Sequence, residues 1–308
     1  MQKKARAKNS SLKKYIVADK YDGMALEEYL KNVMEVSARQ RQKLFFSRGV
    51  YVNGTSAHTK RLLKAGDMVA IRQFKDNNYG VVPESGAIDI VYEDNDIIVL
   101  NKPAGILVHP AGRTESGTLA NYLAGYFKQK KQIVTIRPVH RLDRDTTGCI
   151  LFAKSGRVQT VLEKMLSAGK IHRGYEAVIV GDGRQLLQDF PEGTIDAPIA
   201  KDVFRPNRRM VSAGGQRAIT HFQLEKSGTR LSLLSLWLET GRTHQIRVHL
   251  AHSGYPVAGD KLYGRAEPSF TRQALHAATL ELLHPITGEK LKLSAERPED
   301  FAKLVESI

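Results

Sequence analysis

Apolar residues Leu26, Tyr29 and Leu30 recur at helical spacing, and the segment from Ala38 to Phe46 repeats the pattern. That second helix sets Arg39, Arg41 and Lys43 beside Leu44 and Phe45, with Ser37 as its cap and Gly49 as its stop. Val50-Tyr51-Val52 then runs into Asn53-Gly54, a strand entering a tight turn. Met68 to Ile71 reads as another strand after Gly66-Asp67. The stretch DNNYGVVPESGA, 76–87, gathers polar and turn-forming residues and predicts a linker. Beyond it, Ile88–Tyr92 and Asp96–Leu100 read as a pair of strands. The rest alternates strand and helix patterns without a repeat, so periodicity alone gives a mixed α and β protein.

One stretch breaks the alternation. PVHRLDRDTTGCILFAKS, 138–155, packs two Arg–Asp pairs into a turn-like segment and passes straight into the apolar run Cys149–Ala153. A carboxylate at the edge of a buried strand loses hydration, and a nearby arginine keeps it ionised. On these terms Asp143 is either a nucleophile or proton abstractor, or one half of a structural ion pair. Cys149 lies inside the apolar run, where a thiol acts as a small hydrophobe.

Three more polar clusters follow. In ETGRTHQIRVHLAHSG, 239–254, Thr243 can cap a short helix that Gly254 ends, with Ile246 and Leu250 on its buried face. Arg242, Thr243, His244, Gln245, Arg247 and His249 suit phosphate and ribose contacts. His244, His249 and His252 make a weaker case for metal, because no spacing of four joins them and no acidic ligand lies among them. KIHRGY, 170–175, reads as a basic turn leading into a strand Tyr175–Val180. The segment 201–218, with Arg208 and Arg209, reads as a basic hairpin or loop suited to phosphates.

Charge sharpens this picture. Lys plus Arg number 47 against 32 for Asp plus Glu, a formal charge of +15, which favours a polyanionic partner over solubility alone. Residues 1–14 carry six of those cations and no acid, which predicts a mobile basic arm. The single cysteine rules out an internal disulfide and a paired-thiolate zinc site. A reducing, cytoplasmic setting is the simplest expectation. No apolar run is long enough for a membrane span. Neither a dinucleotide glycine fingerprint nor a phosphate-binding P-loop is present, which argues against a methyltransferase-like or nucleotide-driven enzyme.

Two resemblances organise these motifs. The basic helices followed by G-V-Y-V-N-G and L-x-x-G-D-x-V-x-I, over residues 15–75, resemble the alpha-L RNA-binding domain of the ribosomal protein S-four type. His140-Arg141-Leu142-Asp143 with Thr147-Gly148 resembles the H-R-L-D signature of the RluA/RluD-type pseudouridine synthases. In the same order, Asn101–Gly105 with Val108-His109-Pro110 is similar to that family's first motif, and Thr240–His249 to its third, continued by Gly259-Asp260, Tyr263-Gly264 and Leu275-His276-Ala277. Tyr175 matches the family's isolated tyrosine, although His172-Arg173-Gly174 stands before it where relatives more often have a lysine.

The resemblance implies an α+β pseudouridine synthase fold over 88–308, with a mixed, mostly antiparallel central sheet. It implies an isomerase that flips a uridine out of RNA, breaks its N1–C1′ bond and rejoins C5 to C1′ without cofactor or metal. Asp143 would be the catalytic aspartate, Arg247 its partner, and Tyr175 the stacking residue. Arg141 would fill the place of the flipped base. His140, Arg242, Thr243, His244, Gln245, Lys102, His109, Arg208 and Arg209 would contact RNA, as would Arg39, Arg41 and Lys43 of the small domain. Large-subunit ribosomal RNA is the favoured substrate. Transfer RNA and a non-catalytic RNA-binding or ribosome-assembly factor are the alternatives. A monomer is expected.

Overall fold

The computed structural model describes residues 12–34, 36, 38–72, 78–264, 267 and 270–308; of Arg39 only the backbone is described. The chain divides into two compact units, 1–77 and 78–308.

In the first unit the elements are β1 (Leu12–Ile16), α1 (Leu26–Asn32), α2 (Ala38–Phe46), β2 (Val50–Val52), β3 (Thr55–Ser56) and β4 (Met68–Arg72). The strands form an antiparallel sheet in the order β1-β4-β2-β3. Leu26, Tyr29, Leu30 and Leu44 of the helices pack with Val50, Val52 and Val69 of the strands, so this unit has a core of its own. The turn between β2 and β3 is the predicted one, with φ of 49° at Asn53 and 81° at Gly54. Asn53 donates to the Asp67 carboxylate (2.7 Å) and accepts from the Met68 N–H (2.8 Å), which joins the two motif segments.

Two expectations change here. The arm expected over 1–14 yields at Leu12, because Lys13 and Lys14 lie in β1 paired with β4; the remainder of the arm and Ser37 lie outside the described residues. At the end of α2, Arg48 rather than Gly49 takes the left-handed conformation (φ 49°), and the Gly49 N–H returns to the Leu44 carbonyl.

The second unit opens with β5 (Asp89–Glu93), β6 (Ile97–Lys102), α3 (Leu119–Gln129), β7 (Arg137–Pro138), β8 (Thr147–Ala153), α4 (Gly156–Ser167), β9 (Ile171–Val180) and α5 (Gly183–Asp189). It continues with β10 (Thr194–Asp196), β11 (Ile199–Lys201), β12 (Arg209–Val211), β13 (Ile219–Ser227), β14 (Leu231–Leu238), α6 (Gln245–His252), β15 (Leu275–Leu283), β16 (Lys290–Ser294) and α7 (Glu299–Glu306). A sheet of ten strands runs β10-β13-β14-β9-β15-β8-β6-β5, with β16 on β15 and β7 on β8. Among the described residues the pairing is antiparallel except between β15 and β8. The expected mixed, mostly antiparallel α+β architecture is therefore present.

The sheet is apolar on both faces. One face packs Ile98, Leu100, Ile150 and Phe152 against Leu119, Leu123 and Phe127 of α3 and Phe301 of α7. The other sets Val99, Cys149 and Leu151 under Val158 and Leu162 of α4. That is why β8 reads as a continuous apolar run rather than an alternation: all seven of its residues are buried. Its Ile150, Leu151 and Phe152 side chains each contribute about 1.5–3 kcal/mol on burial.

Residues 78–87, expected as linker, lie along α3 instead. Asn121 of α3 donates to the Val82 carbonyl (2.9 Å), and the Gly117 N–H donates to the Glu84 carboxylate (2.9 Å). A Cβ at Gly125 would stand 1.9 Å from the Glu84 carbonyl, so the close approach requires glycine there. β9 also begins earlier than expected. Its strand starts at Ile171, which pairs with Leu282, and takes in all but Lys170 of the presumed basic turn.

Candidate active site

The charged loop 140–146 lies between β7 and β8 and is held from outside by groups that grip its backbone. Lys102, at the end of β6, is fully buried, and its ammonium donates to the carbonyls of Pro103 (2.7 Å), Ile106 (2.9 Å) and Arg144 (2.7 Å). Arg272 donates to the Asp145 carbonyl (3.1 Å), and Gln273 to the Thr146 hydroxyl (3.1 Å). The Leu151 N–H donates to His140 Nε2 (3.2 Å). At the loop's far end Gly148 has φ 107°, and a Cβ there would meet the Ala277 carbonyl at 2.2 Å, so β8 and β15 can close together only around glycine.

This scaffold presents Asp143 to a cleft walled by Tyr175, Leu238, Ile246 and Leu275, with Arg141 and Arg242 at its edge. Arg247 reaches it from α6, 104 positions along the chain, and its Nη1 donates to Asp143 Oδ2 (2.9 Å). The remainder of the guanidinium is fixed on Asp260: Nε to Oδ2 at 2.7 Å and Nη2 to Oδ1 at 2.8 Å. Asp260 is wholly buried and also accepts the backbone N–H groups of Leu262 (2.9 Å) and Tyr263 (3.1 Å). Burial opposes the charge on Arg247, yet the two carboxylates outweigh it and raise its pKa above the ordinary arginine value. Burial likewise works against the Asp260 carboxylate, and Arg247 reverses that, lowering its pKa. The result is an acid–base–acid chain in which one arginine, anchored by a fork, offers its last N–H to Asp143. Among the described residues no hydrogen bond reaches Asp143 Oδ1, which faces His244 Nε2 at 3.9 Å.

Tyr175 sits in β9 opposite Leu236, 6% exposed, and burial raises its phenol pKa. His244 precedes α6 in the left-handed conformation (φ 59°), and its Nδ1 is 2.8 Å from the Tyr263 hydroxyl. Thus His244, and not Thr243, occupies the cap position of α6, without a capping side-chain bond; Gly254 ends the helix at φ 88° as expected. Ile246 and Leu250 are buried together, also as expected. Arg209 and Arg208 extend from the β11–β12 hairpin: the Arg209 N–H donates to the Tyr263 hydroxyl (2.7 Å), and the Arg208 guanidinium lies 5.1 Å from the Tyr263 ring centre.

Several residues expected to touch RNA face inward. Lys102 has no exposed surface and spends its three N–H groups on carbonyls; burial pushes its pKa down to about 7, against the pull of Asp145 and Asp143. Gln245 is 3% exposed, its oxygen taken by Thr240 (2.8 Å) and the Arg242 N–H (2.9 Å), its amide by the Ile219 carbonyl (2.9 Å) and Thr220 (3.1 Å). His140 braces the loop against β8, and burial pushes its pKa down to about 3, with Arg173 adding to the effect. Arg41 turns back to the Val36 carbonyl (2.6 Å). His109 and Lys43 are exposed, and Thr243 is half-buried beside the cleft. The His244–His249–His252 metal alternative dissolves, because His249 is occupied by Thr220 (3.0 Å) and the Ala197 carbonyl (2.9 Å). The contribution of Asp260, Tyr263, Arg272 and Gln273 was not separable from packing in the sequence. Only the ordered Gly259-Asp260 and Tyr263-Gly264 pairs hinted at two of them.

Sequence and fold together give the class. The family described as RNA pseudouridylate synthase matches residues 96–252. The fold resembles the structure of human RNA pseudouridylate synthase domain containing 1, with a TM-score of 0.56 at 24% identity, over 70% of this chain and 86% of that one. Among relatives, the uncharacterized RNA pseudouridine synthase YhcT of Bacillus subtilis is 41% identical over 94% of this chain and 95% of its own length. Ribosomal large subunit pseudouridine synthase D of Yersinia pestis is 37% identical over 95% and 93%. That of Xanthomonas campestris is 35% identical over 97% and 93%. The chain is thus an RNA pseudouridine synthase. It belongs to the RluA/RluD family of these enzymes.

Proposed function

We propose that the enzyme isomerises a uridine of large-subunit ribosomal RNA, with Asp143 as the group that meets the ribose. The observation that carries this reading is the half-bound carboxylate: Oδ2 rests on Arg247 and Oδ1 faces the cleft beside Tyr175. An aspartate held by one oxygen keeps its aim. It either attacks C1′ or removes a ribose proton to give a glycal, and in both cases the N1–C1′ electron pair leaves with the uracil. Tyr175 stacks on that base and serves the proton exchange at C5. The uridine has to leave its helix first, at an unstacking cost of a few kcal/mol. Exposed Arg141, at the cleft edge, fills its place. Arg242, Arg208 and Arg209 hold phosphates nearby.

Ribosomal RNA is favoured over transfer RNA because relatives that match nearly the full chain carry the large-subunit name. The first unit acts as an alpha-L RNA-binding domain, adding contacts through effective concentration. Pseudouridine mapping of total RNA, with and without the protein, tests the substrate: the difference should be confined to large-subunit ribosomal RNA. Asp143→Asn should leave those uridines unconverted while still binding RNA. Conversion by that variant at wild-type level refutes the role of Asp143. Removing residues 1–77 should weaken RNA binding and flatten its salt dependence; an unchanged slope would take that unit out of the interface.

A further inference from the structure

His244 is held with more constraint than a phosphate contact needs. Its backbone is left-handed at φ 59°, an uncommon state for a residue other than glycine. Its ring is held through Nδ1. The Tyr263 hydroxyl accepts the Arg209 N–H (2.7 Å) and lies 2.8 Å from His244 Nδ1, while Nε2 faces a carboxylate oxygen of Asp143, which favours a proton on Nε2. The phenol proton therefore goes to Nδ1, and the imidazole carries its own proton on Nε2. Tyr263 is itself seated under Arg247, whose guanidinium lies 5.1 Å from the ring centre. Nε2–H thus stands 3.9 Å from Asp143 Oδ1, the oxygen that Arg247 leaves free. Burial lowers the pKa of His244 against the pull of Asp143, so the ring is neutral and its Nε2 proton is a hydrogen bond to offer, not an acid to spend.

We propose that His244 is a catalytic residue: its neutral Nε2–H donates to the O2 carbonyl of the target uracil while the N1–C1′ bond breaks. The inference rests on the reading of Asp143 as the group that meets C1′. When that bond breaks heterolytically, its electron pair goes to the base, and the charge spreads over N1, O2 and O4. O2 is carried by C2, which is bonded to N1, so it lies beside C1′ and close to the oxygen of Asp143 that approaches there. A fixed donor at that place stabilises the departing base without transferring a proton, so His244 ends the step as it began. A neutral donor also leaves the Asp143–Arg247 pair undisturbed, where a cationic imidazole would compete with Arg247 for the carboxylate.

The test separates this role from the backbone and from RNA affinity. On total RNA from cells lacking the protein, single-turnover conversion is followed at each uridine that the wild-type enzyme modifies, with RNA affinity measured in parallel. His244→Ala should slow conversion by about a hundredfold, the usual consequence of removing one preorganised donor. Affinity should change less than about threefold, because the bond matters in the transition state. Glutamine can place an amide N–H where Nε2 was, whereas asparagine is too short but tolerates the left-handed backbone well. Rescue by His244→Gln and not by His244→Asn supports the donor role. The reverse order, or conversion by His244→Ala at the wild-type rate, or a loss explained by affinity, overturns it. Should the alanine variant misfold, Tyr263→Phe keeps the ring but frees the tautomer; it should slow conversion about tenfold at unchanged affinity, and an unchanged rate overturns the proposal. Asp143→Asn runs alongside: activity in that variant would defeat the reading of Asp143, whereas its inactivity beside an active His244→Ala defeats only the donor role.

Discussion

Asp260 touches neither the cleft nor solvent, yet its replacement by asparagine should be felt at Asp143. Asparagine has the same shape. Its amide oxygen can keep the place of Oδ1, which now receives Arg247 Nη2 (2.8 Å) and the N–H groups of Leu262 (2.9 Å) and Tyr263 (3.1 Å). Its amide nitrogen then stands where Oδ2 accepted from Arg247 Nε at 2.7 Å, and donor faces donor. One charge-assisted bond is lost, worth about 1.5–3 kcal/mol, together with one of the two negative charges on a buried arginine. Removing one member of a buried pair outright costs about 3–5 kcal/mol. Because Arg247 keeps Asp143, a loss of about 2–4 kcal/mol is expected. For a unit of this size that lowers the melting temperature by about 5–15 °C.

The same change loosens the guanidinium, which can turn to fork both oxygens of Asp143 and close the free one. Single-turnover conversion should therefore fall about 10–100-fold with RNA affinity unaltered. Calorimetric melting and single-turnover kinetics on one preparation provide both readings. Melting within about 2 °C of wild type, together with conversion within about threefold, would refute the view that Asp260 aims Arg247.

Lys102→Met removes the ammonium that three carbonyls share, and a carbonyl left without a partner away from water costs roughly 1–3 kcal/mol; thermal melting should drop and conversion should fall with it, because Arg144 sits one residue from Asp143. A variant that melts and reacts like wild type would show that the loop needs no tether from β6. Acid should destabilise the protein before its carboxylates titrate. His140 is held near 3 in the fold against 6.5 when free, and burial also lowers His249 and His276. The unfolded chain thus binds more protons as pH falls below about 6.5, and stability declines from there towards about 3. Denaturant titrations between these limits should give a flatter profile for His140→Gln, and a profile parallel to wild type would remove His140 as a contributor.

The sheet was readable because burial writes itself into long apolar runs: β6 and β8 appear as Ile97–Leu100 and Cys149–Ala153 whatever they pack against. That Asp143, Tyr175 and Arg247 come together was readable only from an ordered set of motifs. No local pattern says that an arginine on α6 meets an aspartate 104 residues away. The errors share one cause. Lys102, Gln245 and His140 are polar residues inside motifs rich in polar residues, and a sequence does not distinguish a polar group aimed at a ligand from one satisfied by buried backbone. Residues 78–87 misled in the opposite direction. Their glycine and proline content reads as slack chain, whereas Gly86 and Gly125 are the points where that chain lies closest to α3.

The grip on the 140–146 loop has a consequence for how such an enzyme can diverge. Lys102, Arg272 and the Leu151 N–H fix the loop through the carbonyls of Arg144 and Asp145 and through His140, and none of these bonds uses the exposed side chains of Arg141 and Arg144. Exchange at those two positions should therefore leave the Asp143 carboxylate where it is. If Arg141 and Arg144 meet RNA, a library randomised at 141 and 144 should shift which RNA is bound while the Asp143–Arg247 pair keeps its geometry.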